Sequence, residues 1–441
     1  MGKRFVCADP RVAASSIVTR VLRVEDEPTG DRAVALDSPE TQRYLDDTVR
    51  VWLGASREVD APGLPPELAR LFLRLEEYER PERDRWGCWD YTFSENHATG
   101  RLLDPEIDRW LAQQRGALAA TTPLEPLWPR GHRFAVCLTH DVDLVSERST
   151  PAQMLRFARA GLAGGGVVGL ARPPVRIVRS LRAGIARAPD TRDTLERTAA
   201  IEAERGVVSS FFFTVPPRGR WSRYDCAYGP ADRCRFRARE LRIADVMCTL
   251  AAEGFDVGLH GSYRAALETG ALDEQRDALR SATGLEVRTT RQHFLRWDVR
   301  TTPRAQEDAG FEADSSLGFN RNVGFRAGTS LPYHHFDVTG RRRLSLVEAP
   351  LIVEDTAVLG EAALGLGPAE ARELVLGLLD EVAEVGGAAT LLFHPDKLAR
   401  PEWCALYEAT VDHALEQGAW VTSLDELQRW WRDRESRLLD G

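Results

Sequence analysis

Short apolar runs alternate with helix-like stretches from residue 134 to the end of the chain, and this alternation limits the fold more than any other feature. Seven runs predict buried strands, and between most of them apolar residues recur at helical spacing. Such repetition favours a mainly parallel sheet covered by helices. Seven units predict a small (β/α) barrel, and a further run at 419–423 predicts another short strand. The predicted strands are 134–140, 207–215, 256–260, 289–295, 311–316, 344–354 and 388–394.

Two carboxylates follow the first of these strands, in the stretch Thr-His-Asp-Val-Asp at 139–143. In parallel barrels the chemistry gathers at the carboxyl ends of the strands. Asp141 and Asp143 are two residues apart and would project from one face of a regular strand. This suits one carboxylate that binds a metal ion and another that takes a proton. The alternative is a turn in which Asp141 caps a backbone amide and Asp143 faces water.

Histidines are concentrated in or at the ends of the same strands. Four of the nine lie there, namely His140, His260, His293 and His394. One carboxylate and two imidazoles suffice for an open divalent metal site, and water at such a site is a usable nucleophile near neutral pH. A second carboxylate can then act as base and a further histidine as acid. Each histidine alone is more typical of a hydrogen-bonded core residue; together they favour a catalytic cluster.

Composition excludes several classes of protein. A net charge of −9 argues against a general nucleic-acid binder. Seven cysteines without a Cys-x-x-Cys spacing indicate a reducing compartment, and neither a disulfide framework nor a zinc ribbon. The chain begins without the apolar core of a signal peptide and contains no apolar run long enough to span a bilayer. A cytoplasmic location is therefore expected.

Three regions are predicted along the chain. Residues 1–120 form a small N-terminal α/β accessory region with helices at 67–76 and 103–118. Three prolines and a glycine at 121–131 predict a linker, and 132–441 is the barrel.

A basic insertion at 145–192 interrupts the barrel after its first strand. Within it, residues 154–187 contain seven arginines, no acidic residue and interleaved apolar side chains. This pattern is typical of peripheral contact with an anionic membrane surface or of a grip on an anionic substrate. A helical lid with solvated arginines is the alternative.

The order of these motifs resembles that of the polysaccharide deacetylases, carbohydrate esterase family 4, with its NodB-homology domain. Residues 139–143 resemble the first motif, 260–262 the second, 291–294 the third, Asp314 the fourth and 393–394 the fifth. The resemblance covers about residues 132–430 and implies a distorted (β/α)7 barrel that removes acyl groups, commonly acetyl, from amides on sugars. The roles it implies are general base for Asp141, metal ligands for Asp143 and His260, orientation of the base for Arg291, tuning of the acid for Asp314 and general acid for His394.

Two departures from the family pattern change the expected ligand set. The second motif usually ends in another histidine four residues after His260, and here that position is Arg264. The third motif usually has proline where this chain has His293. We therefore expect Asp143, His260 and His293 to bind the metal ion. Val142 also separates carboxylates that are adjacent in many members of the family.

Two loops after strands are candidate walls of a substrate site. The first carries Tyr224, Asp225 and Tyr228, and the second carries Arg326, whose guanidinium suits a carboxylate or phosphate. Ordinary loop packing is the alternative for both.

Together these features predict a metal-dependent hydrolase that removes an N-acyl group, chiefly N-acetyl, from a carbohydrate or glycoconjugate through a metal-activated water. Zn²⁺ is the expected ion, with Co²⁺ or Ni²⁺ as alternatives. Hydrolysis of another amide or imide C–N bond at the same site remains open. So does a non-catalytic carbohydrate-binding relative, which the lost histidine of the second motif favours.

Overall fold

A ten-stranded sheet forms the centre of the structure, a computed structural model that describes residues 36, 38–80, 82–145, 193–217, 222 and 224–440. Two further strands, β3 (Arg233–Phe236) and β4 (Arg239–Arg242), form a separate hairpin. The strands of the large sheet are β1 (Ala135–Asp141), β2 (Ser210–Thr214), β5 (Asp256–Gly261), β6 (Thr289–Gln292), β7 (Ala313–Asp314), β8 (Tyr333–Asp337), β9 (Arg342–Glu348), β10 (Leu351–Glu354), β11 (Ala388–Leu392) and β12 (Trp420–Thr422).

The sheet closes on itself through the segment that contains β9 and β10. The strand order is β10-β11-β1-β2-β5-β6-β7-β9-β8, with parallel pairing throughout except for β8 against β9. The Ala349 N–H donates to the Asp314 carbonyl and the Leu351 N–H to the Leu317 carbonyl, so this segment stays beside β7 until β10 pairs with β11. The result is a distorted barrel of seven strand positions, which confirms the predicted fold class.

Every predicted strand overlaps an observed one, and most differences lie at the ends. The fourth ends at Gln292 because the next three residues turn in a 3₁₀ helix with Phe294 at φ 62°. The sixth is divided at Ala349 and Pro350, where proline has no N–H to give to a ladder. The predicted run at 419–423 forms β12, parallel to β1.

Helices cover the barrel and the N-terminal side of the molecule. The longest helix of the described residues, α11 (Pro368–Val385), begins with a proline after Gly367 and is followed by Gly386, whose φ of 73° suits glycine. The helices are α1 (Pro39–Leu53), α2 (Pro66–Phe72), α3 (Leu75–Glu79), α4 (Glu95–Ala98), α5 (Glu106–Ala119), α6 (Thr194–Glu204), α7 (Ile243–Ala252), α8 (Ala271–Thr283), α9 (Thr302–Asp308), α10 (Asp355–Leu359), α11 (Pro368–Val385), α12 (Pro401–Glu416) and α13 (Leu424–Leu439).

The N-terminal helices pack directly on the barrel. Tyr44 and Trp52 of α1 belong to one hydrophobic cluster with Tyr333 of β8, and the Trp52 indole donates to the Pro332 carbonyl at 3.0 Å. The predicted helix at 67–76 is two helices, separated at Arg74 by a positive φ of 53°. The predicted division of the chain at 121–131 remains a prediction.

The predicted basic insertion lies outside the described residues, apart from Val145 at its start. Membrane contact through 154–187 therefore stays a prediction. Within the described part of the chain, no helix combines the length and apolar character needed to cross a bilayer.

Candidate functional site

The carboxyl ends of the barrel strands open into a cleft of ≈ 970 Å³. Four residues predicted from the sequence line it: Asp141 and Asp143 after β1, His293 after β6 and His394 after β11. The parallel pairing of β11 with β1 and of β5 with β6 brings these strand ends together. The predicted clustering at one end of the barrel is therefore seen in the structure.

Four potential metal-binding atoms converge at this end. They are Asp143 Oδ1, Cys226 Sγ, His260 Nε2 and His293 Nδ1, all within 4.8 Å of one another. Asp143 Oδ1 lies 3.2 Å from His260 Nε2 and 3.4 Å from His293 Nδ1. Three of the four residues were predicted from the sequence, and Cys226 was missed.

Backbone carbonyls orient both imidazoles of this cluster. His260 Nδ1 lies 3.1 Å from the Arg291 carbonyl, and His293 Nε2 lies 2.7 Å from the Tyr224 carbonyl. A carbonyl only accepts, so each of these nitrogens carries its hydrogen there. The remaining nitrogens, His260 Nε2 and His293 Nδ1, face each other at 2.8 Å.

This arrangement suits a cation. Two neutral imidazoles held in this way point their lone pairs at each other, beside the Asp143 carboxylate, which is repulsive unless a proton or metal ion lies among them. Outer partners that fix the tautomer of a histidine are typical of metal sites. Nitrogen, oxygen and sulfur donors together match the ligands of zinc.

Asp141 lies beside the cluster and is held close to Arg291. Its Oδ1 is buried, has no hydrogen-bond partner among the described residues and lies 3.7 Å from Arg291 Nη1. Arg291 is fixed by donating from Nη2 to Thr139 Oγ1 at 2.9 Å and to Ser315 Oγ at 2.6 Å. One oxygen of this cleft-lining carboxylate therefore accepts no hydrogen bond from the described residues.

His394 lies across the cluster, paired with a carboxylate. His394 Nδ1 lies 2.7 Å from Asp355 Oδ1, and its backbone N–H donates to Asp355 Oδ2 at 2.8 Å. His394 Nε2 lies 3.8 Å from Asp143 Oδ2. Although burial opposes it, Asp355 and then Asp143 raise the pKa of His394 well above its usual value. A protonated imidazole therefore faces the cleft.

Asp355 replaces Asp314 as the partner of this histidine. Asp314 Oδ1 instead accepts from Ser316 Oγ at 2.6 Å, and burial followed by the charge of Glu348 raises its pKa to about 8. Within the described structure His394 pairs with Asp355 and no hydrogen bond or ion pair joins it to Asp314, so the predicted role of Asp314 in tuning the acid stays a prediction. Asp355 comes directly after β10, and its position at a strand end is the signal that could have identified it.

His140 lies in the core on the other side of β1. Its Nδ1 lies 2.7 Å from the Phe393 carbonyl and its Nε2 2.6 Å from Glu202 Oε1. Successive strand residues point to opposite faces, so His140 and Asp141 cannot share the cleft. This histidine is the hydrogen-bonded core residue of the alternative interpretation.

The described residues of the first predicted substrate loop, Tyr224, Asp225 and Tyr228 among them, support the cluster and are not among those that line the cleft. The Tyr224 carbonyl orients His293, and Asp225 accepts the backbone N–H groups of Ser222 and Tyr263. The Tyr228 hydroxyl donates to the Val142 carbonyl. These contacts correspond to the packing alternative for the loop.

The second predicted loop places Arg326 inside the protein. Its guanidinium donates to both carboxylate oxygens of Glu77, at 2.9 and 2.7 Å, and both side chains are 1% exposed. The carboxylate that Arg326 binds is thus that of Glu77 in α3. The prediction that Arg326 contacts the substrate is wrong, because its guanidinium is buried in this pair.

Arg326→Gln is expected to lower the free energy of unfolding by roughly 3–5 kcal/mol, because it leaves the Glu77 carboxylate buried without its partner. Denaturant unfolding measures the change. Arg264→Gln is the matched control: it breaks a pair with Glu268 in which both side chains are more than a third exposed, and it should cost less than about 1 kcal/mol. Equal losses in the two variants would contradict the prediction.

Glu354 is a further cleft residue that the sequence did not distinguish. It is 8% exposed, and its Oε2 has no hydrogen-bond partner among the described residues. Burial raises the pKa of this carboxyl to about 7. Glu354 can therefore donate or accept a hydrogen bond near neutral pH.

Solved structures similar to this chain include three proteins. One, from Mycobacterium smegmatis and assigned as a polysaccharide deacetylase, is 21% identical with a TM-score of 0.46 over 71% of this chain and 96% of its own. The allantoinase Puue is 14% identical with a TM-score of 0.46, over 71% and 95%. A protein from Pseudomonas aeruginosa PAO1 described as a probable polysaccharide deacetylase is 17% identical with a TM-score of 0.43, over 71% and 95%. No protein-family model and no curated protein matches the chain.

Proposed function

We propose that this chain is a divergent member of the polysaccharide deacetylase type, a metal-dependent hydrolase that removes an N-acyl group, chiefly N-acetyl, from a sugar or sugar conjugate. One observation carries the proposal. Asp141 Oδ2 lies 3.7 Å from His260 Nε2 and His394 Nε2 lies 3.8 Å from Asp143 Oδ2, so a carboxylate and an imidazole that line the cleft both adjoin the cluster of metal-binding atoms. Amide hydrolysis needs a base for water, an acid for the departing nitrogen and stabilisation of charge on oxygen.

Asp143, His260 and His293 would hold the divalent ion, with Zn²⁺ proposed first and Co²⁺ or Ni²⁺ as alternatives. When bound, such an ion supplies Lewis acidity toward the acyl carbonyl and lowers the pKa of water. Burial favours the neutral form of Asp143, yet the charge of His293 and the hydrogen bonds of His260 and His293 hold the pKa of this carboxyl well below its usual range. The carboxylate is thus ready to bind a cation.

Asp141 is the proposed general base. Its unpaired Oδ1 can accept a proton from the attacking water, and the guanidinium of Arg291 stabilises the charged carboxylate and limits its movement. Both groups are almost completely buried, so their interaction is little screened by solvent.

His394 is the proposed general acid. The Nδ1–H bond to Asp355 fixes the ring and leaves the Nε2 hydrogen for the departing nitrogen. The proton that Asp141 takes and the proton that His394 gives are thus handled by separate groups.

The cleft fits a substrate of sugar-conjugate size. Its volume lies within the range of small-molecule sites. Its wall combines aromatic with polar and charged side chains, which suits the apolar face and hydroxyl groups of a sugar ring. The aromatic members are Trp86, Phe294 and Trp403, and the cationic members are Arg321, Lys397 and Arg400.

Metal content tests the proposal first. Wild-type protein is expected to bind close to one ion per chain, and Asp143→Ala and His293→Ala are each expected to lose it, because each removes a converging donor atom. His97→Ala, an exposed histidine of α4, is the matched control and should keep the ion. Elemental analysis after dialysis provides the measurement.

Hydrolysis assays then separate the alternatives. Release of acetate from N-acetylated sugars supports the proposed function, whereas hydrolysis of cyclic imides alone would favour the second enzyme class. A binding protein without turnover is favoured by one feature: Arg264, at the position of the family's second-motif histidine, pairs with Glu268 and not with the cluster. Sugar binding without hydrolysis, by a wild-type protein that holds no metal even after Zn²⁺ is added, would favour that alternative.

A further inference from the structure

We propose that Cys226 is the fourth protein ligand of the metal centre, so that this chain holds its ion in a closed Asp-Cys-His-His site. The inference deepens the proposed function and rests on its metal site, although not on catalysis. Cys226 Sγ is one of the four converging donor atoms, and it lies 3.5 Å from Asp143 Oδ1.

Three of the six donor-to-donor distances match the edges of a tetrahedral site. With the bond lengths of zinc, a tetrahedron has edges of about 3.3 Å between nitrogen or oxygen donors and about 3.6 Å between sulfur and oxygen. The carboxylate oxygen lies 3.2 and 3.4 Å from the two imidazole nitrogens and 3.5 Å from the sulfur. The nitrogens, at 2.8 Å, would move slightly apart around an ion.

The loop that carries Cys226 is built around the cluster. Two residues earlier, the Tyr224 carbonyl fixes the tautomer of His293. Between them, Asp225 accepts the Tyr263 N–H at 2.9 Å, which ties the loop to the segment after β5 that carries His260. The position of the sulfur is thus set by the same contacts that orient the imidazoles.

The thiol already directs its hydrogen at another donor of the cluster. In the hydrogen bond between Cys226 and Asp143, the sulfur donates to the carboxylate. Binding of an ion would require this thiol to lose its proton to solvent, because cysteine binds a metal as the thiolate. One proton would therefore be released for each ion bound through Cys226.

A closed site has a consequence for the reaction. Four protein ligands are typical of structural zinc sites, whereas catalytic sites keep one position for water. An ion held by all four of these residues would supply Lewis acidity to a substrate only with room for a fifth ligand or in exchange for the Cys226 thiolate. Cys226 would thus supply a protein ligand where the family's second-motif histidine is absent. While its thiolate holds the ion, the site would have no position for the reacting water.

Cobalt substitution tests the assignment without an activity assay. Co²⁺ alone is added to metal-free wild type, Cys226→Ser and Cys248→Ser. Cys248 is the control because it lies on α7, outside the cluster, and its thiol donates to the Thr283 carbonyl. We expect an intense near-ultraviolet band of thiolate-to-cobalt charge transfer in wild type and Cys248→Ser, and none in Cys226→Ser. We also expect Cys226→Ser to bind Co²⁺ at least about tenfold more weakly. Mutation of a residue that only hydrogen-bonds to a metal ligand already lowers metal affinity by about that factor.

The outcomes separate the inference from the proposed function. Bound Co²⁺ without the thiolate band in wild type would overturn the inference and leave the metal site of the proposed function intact. The band without any hydrolysis of acylated sugars would support the inference and count against the proposed function. Absence of Co²⁺ binding in wild type would overturn both. The wild-type spectrum decides the ligand even where Cys226→Ser folds poorly.

Discussion

Asp141→Asn is expected to lower kcat by roughly 10²- to 10⁴-fold, the usual contribution of a general base, while the bound metal is retained. The amide keeps the shape of the carboxylate but has no basic oxygen. Asp141 stands outside the four converging donor atoms, and its Oδ2 lies 3.7 Å from His260 Nε2. Steady-state kinetics on an N-acetylated sugar and metal analysis of the same sample provide the measurement.

Asp143→Asn is the matched control because it makes the same chemical change two residues away. It should lose metal and activity together, since Asp143 Oδ1 contacts both imidazoles. Loss of metal in Asp141→Asn would show that Asp141 is a ligand and not the base. Full activity in that variant would remove it from the mechanism.

The barrel was predictable because its signal is local. Each strand is a short apolar run, each helix has its own spacing, and parallel strands place their carboxyl ends together. Asp141, Asp143, His260 and His293 follow from that rule alone, without knowledge of which strands are neighbours. The residues at the strand ends were therefore the part of the site that the sequence could predict.

Residues that act through long-range contacts were not predictable in this way. Cys226 lies in a loop, and nothing in the spacing shows that the loop folds over β5 and β6. The partner of Arg326 is Glu77, 249 residues earlier in the chain, in a helix of the N-terminal region. Asp355 contacts His394 because β10 pairs with β11, and that order depends on closure of the barrel. Motif order suggested Asp314 instead.

Asp355→Asn is expected to shift the alkaline limb of the kcat profile to lower pH by roughly 1 to 3 pH units, the effect of removing a charged neighbour. Burial lowers the pKa of His394, and the charge and hydrogen bond of Asp355 are the largest influences that raise it. A general acid works only while protonated, so activity falls as the pH rises through this pKa. Without Asp355, that fall begins earlier.

A bound cation repels the imidazolium and lowers the pKa of His394 in both proteins, so the test is the difference between wild type and Asp355→Asn. Asp396→Asn is the matched control: this buried carboxylate lies two residues from His394 but pairs with Lys397 at 2.7 Å. It should leave the alkaline limb in place. Lower activity in Asp355→Asn with an unchanged pH profile would mean that Asp355 only positions the ring. The shift itself would show that the pair sets the protonation of the acid, which separates catalysis from a merely structural contact.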